Sequence, residues 1–143
     1  MPYDFDLIRE LSRELGFACA QPSPNELAIA LDAQATLAIV NADSEGDSLI
    51  GFESAGGWHY HGDLQCSDPR GNYIDLDYVG VLTGLADGTV LICEGWEAGA
   101  LRERWLVHCD YMDGLRYLPV SEEIRIRRAR PTMGIPTGRR QPS

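Results

Sequence analysis

At 143 residues and 15.8 kDa, the chain has the size of one ordinary domain and is long enough to bury a core without disulfide or metal staples. Its 44% apolar and 24% charged content is that of a globular protein, and no apolar run approaches the roughly 20 residues of a membrane-spanning helix. The outlier is a net charge of −10, with arginine as its sole strong base; such a field repels nucleic acid and anionic lipid and speeds encounter with cationic partners.

The first residues, MPYDFDLIRE, place acids where a secretory leader places bases, so no export and a cytoplasmic location are expected. Residues 4–16 read as a helix: Ile8, Leu11 and Leu15 form a stripe with Phe5 and Leu7 nearby, Asp4 can cap the start and Gly16 the end. CAQPSPNE follows with two prolines and cannot continue the helix. From Glu26 the period changes, and LAIAL and ATLAIVN predict a hairpin of two strands. NADSEGD is a turn cluster without the order of a calcium loop. SLIGFES and WHYHGDL, joined through Ala55, Gly56 and Gly57, predict a second hairpin over 48–64.

CSDPRGN (66–72) reads as a loop. Ile74, Leu76 and Tyr78 then alternate as in a strand, whereas Tyr78, Val79, Leu82 and Leu85 fit a helix ended by Gly88; a short helix over 76–86 is preferred despite Gly80 and Gly84. TVLICE (89–94) and LRERWLVHC (101–109) are strands linked by the loop GWEAGA. EIRIRRAR alternates isoleucine with arginine, as a charge-guarded edge strand does. The sequence has no internal repeat. The expected fold is α+β: a single mostly antiparallel sheet with an N-terminal helix and one further short helix, forming one domain over 1–130, with a flexible tail over 131–143.

Four cysteines, Cys19, Cys66, Cys93 and Cys109, lack any C-x-x-C pairing and read as reduced, mostly buried thiols. The densest chemistry is GWHYHGD (57–63). On a strand, His59 and His61 share one face with Asp63 in their row, while Trp58 and Tyr60 take the other. Two imidazoles fall short of the four ligands of a structural zinc site or the three plus water of a catalytic one. His108 and Cys109 are the remaining ligand types. The expectation is half-exposed sheet histidines, no resident metal and no cofactor. A small metal-dependent or histidine-using enzyme centred on His59 and His61 is the alternative. No nucleophile elbow, phosphate-cradling loop or H-E-x-x-H helix is present, and the chain is expected not to be an enzyme.

Residues 1–114 carry 20 acids against 5 arginines, and residues 115–143 carry 2 against 7. An acidic body is thus joined to a basic tail. Self-repulsion on this scale is a cost that packing alone does not require. The clusters expected to meet a partner are Asp43, Glu45 and Asp47 in one turn, and Glu94 and Glu97 around Trp96 with Glu103 in support. A tryptophan ringed by carboxylates suits a cationic surface, although it can also fold back onto its sheet.

The small acidic layout, the GWHYHGD strand end and YVGVLTGLADG leading into TVLICE resemble small bacterial immunity proteins of toxin–immunity pairs. The resemblance covers the middle third of the chain. It implies a cytosolic inhibitor that masks the basic active-site cleft of a cognate protein toxin, with no nucleic acid or membrane as partner and no shared catalytic residue to transfer.

Overall fold

The computed structural model describes residues 3–42, 48–53, 57–112 and 123–131. Where Asp4 was expected to cap, its carboxylate accepts the backbone N–H of Asp6 and Leu7 at 3.1 and 3.2 Å, opening α1 (Phe5–Leu15). Gly16 closes that helix at φ 92, a left-handed conformation that glycine adopts without a Cβ clash. Ile8 and Ser12 are buried, with Phe5, Leu11 and Leu15 packed partly against the core.

The segment after Gly16 does not continue the helix, as its prolines require. It is a strand, β1 (Ala18–Ser23), paired antiparallel to β2 (Glu26–Ala30) with a register shift between Ala20 and Ser23. Pro22 sits inside that irregular stretch of an edge strand, where a missing N–H interrupts no continuous ladder. β3 (Thr36–Val40), β4 (Leu49–Phe52) and β5 (His59–His61) extend the same sheet in the order β1-β2-β3-β4-β5. Both expected hairpins are present. Leu27, Ile29, Leu37 and Ile39 point into the core, while Ala28, Ala30 and Ala38 alternate outward.

Part of the expected 66–72 loop is β6 (Leu64–Ser67), which pairs with β7 (Tyr73–Leu76) around a turn tied by Asp68. The divided signal after residue 73 resolves into both elements, a strand and then α2 (Tyr78–Asp87), capped by Asp77 on the Gly80 N–H and ended by Gly88. β8 (Val90–Glu97) runs past TVLICE, and β9 (Ala100–His108) starts one residue before LRERWLVHC and ends one before it does. GWEAGA is therefore not a loop: Ala98 and Gly99, at φ 53 and 79, make a tight turn of the kind whose twist matches flanking strands. β10 (Glu123–Arg127) pairs with the other edge of β8, giving the order β10-β8-β9.

The class is α+β with antiparallel pairing throughout, distributed over ladders of five, three and two strands. One cluster joins them, with Ile8 from α1, Ile29 and Leu37 from the large sheet, Leu82 and Leu85 from α2, and Ile92 and Leu106 from the small one. No described helix is long and apolar enough to cross a membrane. The expected tail falls, from residue 132 onward, outside the described residues.

Candidate functional site

The carboxylates expected to grip a partner fall into three groups. Asp43, Glu45 and Asp47 lie outside the described residues. Glu94 requires a correction, because it is only 4% exposed. Arg104 Nε donates to it at 2.9 Å and Arg127 at 3.4 Å, and Arg127 also pairs with Asp32 across 95 residues of sequence. Arg104 in turn lies 5.6 Å from the Phe52 ring centre. Burial pushes the Glu94 carboxyl up, but its two arginines outweigh that and hold it below the ordinary carboxylate range. Asp32 is held down likewise: burial opposes, while Arg127 and the N–H groups of Gln34 and Ala35 prevail. This chain of charges fastens β10 and the β2–β3 turn to the small sheet and is turned inward.

Trp96 is also corrected as a free anchor. It belongs to β8, opposite Glu123, with the Arg125 guanidinium 4.4 Å above its ring and its Nε1 donating to Glu94 at 3.4 Å. It has folded onto its sheet. Glu97 stays at the surface, 3.7 Å from exposed Arg102, and Glu103 is half-buried opposite Gly95.

A different acidic face emerges between the two helices. Leu7, Glu10, Leu11 and Glu14 recur at helical spacing along α1 and meet Tyr78 and Val79 of α2 around a depression of about 250 Å³. Leu7 is 52% and Val79 44% exposed, both high for large apolar side chains. No described arginine lines the depression. Arg9 instead turns to Asp6 and Gln21; burial raises the pKa of the Cys19 thiol on β1, with Arg9 and Arg13 nearby offsetting only part of that rise. On α1, Glu10 and Glu14 thus face the depression beside α2, while Asp6 is paired with Arg9. The 3–4 spacing of Leu7, Glu10, Leu11 and Glu14 was present in the sequence, but the single stripe of Ile8, Leu11 and Leu15 masked it.

The GWHYHGD expectation holds in its facing. His59 and His61 are exposed together on β5, and Trp58 and Tyr60 pack on the core side in a row with Phe52, at ring separations of 6.1 and 5.6 Å. Below them, Trp58, Tyr60, Cys66, Trp105 and Tyr111 line a cleft of about 350 Å³ between β5–β6 and β9. The buried Tyr60 hydroxyl has no partner among the described residues, and burial raises its pKa strongly.

His108, Cys109 and Asp110 form the described trio whose ligand atoms come within 4.8 Å of one another. His108 Nδ1 already accepts the Asp110 N–H at 3.1 Å, so an ion bound there would displace that bond. Of the cysteines, Cys66 and Cys93 are buried as expected, Cys19 is half-buried and Cys109 exposed. Comparison of the chain with protein-family models, curated proteins and solved structures found no match.

Proposed function

We propose that this chain is an acidic, non-catalytic binding protein of the immunity kind, which neutralises a cognate toxin domain by masking its basic active-site cleft through the face between α1 and α2. The carrying observation is Leu7 and Val79, both prominently exposed beside a depression rimmed by Glu10 and Glu14 and by no described arginine. Tight interfaces combine a few apolar anchors with a charged surround that steers approach and excludes wrong partners. The depression has room for one or two side chains. The occupant that fits is an apolar side chain flanked by lysine or arginine on the toxin's surface. Asp4 at the start of α1, with Asp75 and Asp77 ahead of α2 in sequence, adds exposed negative charge. The surface acid Glu97 adds to long-range attraction, whereas buried Glu94 does not.

The test is association kinetics with the toxin domain encoded in the adjacent reading frame. Replacing Glu10 and Glu14 together by arginine is expected to slow association by about tenfold at low salt, with the curves converging as salt screens the field. Leu7→Ala should act on dissociation instead. Unchanged kinetics in both variants, or an adjacent frame that encodes no secreted toxin, would overturn the reading.

A further inference from the structure

β5 is only three residues long, yet it holds two of the chain's three histidines. Gly51 pairs with His59 and Leu49 with His61, so the two imidazoles stand side by side on the open edge of the large sheet. Their ring centres are 5.1 Å apart with planes at 88°. His59 Nδ1 lies 3.0 Å from the Gly57 carbonyl oxygen, and His61 Nδ1 lies 3.0 Å from that of Ser48. A carbonyl oxygen only accepts, so each Nδ1 carries a proton and donates it. In the neutral rings each Nε2 then keeps a lone pair that no described residue bonds, on two exposed side chains. A backbone carbonyl that fixes the tautomer through Nδ1 is the arrangement that orients metal-ligating histidines.

The spacing matches as well. With metal–nitrogen bonds of about 2.0–2.1 Å, two imidazoles on one ion at tetrahedral to square-planar angles have ring centres about 4.5–5.2 Å apart. The backbone also fixes where β5 lies against β4. A Cβ on Gly51 would lie 2.9 Å from His59 Cβ and 2.6 Å from the Trp58 carbonyl oxygen, so only glycine lets β4 approach β5 this closely.

We propose that His59 and His61 form a two-imidazole chelate for a borderline divalent transition ion, copper(II) in preference to zinc(II), bound through both Nε2 atoms with water completing the coordination. Gly62, at φ 68, turns the chain before Asp63, and among the described residues no carboxylate completes a three-ligand group with these two histidines. A pure imidazole pair selects copper at the top of the divalent affinity order and discriminates against magnesium and calcium, which require oxygen ligands. The site is independent of any protein partner.

Untagged full-length chain is titrated calorimetrically with copper(II) and zinc(II) in excess magnesium, alongside His59→Gln, His61→Gln and His108→Gln. One equivalent of copper should bind more tightly than zinc, each of the first two substitutions should weaken binding by about tenfold or more, and His108→Gln should not change it. Imidazole nitrogen NMR of the metal-free chain should place the proton on Nδ1 in both rings, and zinc should shift the two Nε2 signals. Binding that survives in a variant lacking both His59 and His61, binding lost only in His108→Gln, or an Nε2–H tautomer at either ring overturns the proposal.

Discussion

Arg127 bonds to Asp32 through both terminal nitrogens and to Glu94 through one of them, and it reaches them from the edge strand β10. Three partly or fully buried charges meet at that side chain, and removing one member of such a set leaves the others desolvated without compensation. Arg127→Ala is therefore expected to destabilise by about 3 kcal/mol in urea unfolding, well beyond the 0–1 kcal/mol of an exposed pair such as Glu97 with Arg102. The pH dependence follows from the same contacts. Asp32 and Glu94 have folded-state pKa values below their ordinary ones, so their stabilisation is complete above the ordinary carboxylate range and is lost as pH falls through the lowered folded values. Thermal midpoints should drop steeply in acid for the native chain and less steeply for Glu94→Gln, whose side chain no longer titrates. Burial separates the thiols in the same way. It pushes Cys93 up to about 12 and raises Cys66, while Cys109 is exposed. One thiol should react promptly with a disulfide reagent in the native state, and Cys109→Ser should remove that phase.

At the scale of elements, two glycines set distances that their neighbours cannot relax. Gly84 packs α2 so closely on the start of β8 that a Cβ would meet the Val90 side chain, and a methyl at Gly51 would push β4 and β5 apart. Gly84→Ala should lose about 1–3 kcal/mol although alanine favours helix, because overpacking a core outweighs the propensity gain. A stabilised Gly84→Ala in urea unfolding would refute that close packing. Gly80 and Gly84 counted against a helix by local propensity, yet α2 forms there because Asp77 and Gly88 cap it and Val81, Leu82 and Leu85 bury one face. The strongest periodic signals, α1, the β2–β3 hairpin, β8 and β9, could be read from spacing alone. β1 could not, since its prolines excluded a continued helix without signalling a strand, and only an irregular edge position accommodates Pro22. The candidate site was less legible for a related reason. Alternation placed His59 and His61 on one face correctly, but whether an acid faces solvent depends on where arginines from distant elements arrive. Glu94 finds its partners on β9 and β10, and Trp96 finds Arg125, through pairings that local sequence does not encode.

Across the whole molecule, charge is distributed between two uses. Ion pairs within the described residues engage Asp6, Asp32, Glu94, Glu97 and Glu123. Exposed Glu10, Glu14, Asp63, Asp75 and Asp110 have no described arginine within 4.0 Å in an ion pair, and the chain as a whole carries −10. Uncompensated acids repel one another in the folded state more than in the expanded one, so the native chain should gain stability from simple salt. Raising sodium chloride from about 0.01 to 0.15 M shortens the screening length from about 30 to 8 Å. If relief of repulsion contributes about 1 kcal/mol, the thermal midpoint of a chain this size rises by about 3–4 °C. Were the ion pairs the larger electrostatic term, salt would weaken them and the midpoint would fall. Potassium chloride should act like sodium chloride, since screening depends on ionic strength and not on a specific cation site. The chain with Glu10 and Glu14 both replaced by arginine is four charges less negative and should show a smaller rise. A midpoint that falls or stays flat with salt in the native chain, followed by circular dichroism at constant pH, would mean that the exposed carboxylates are compensated within the fold and leave no field for steering a cationic partner.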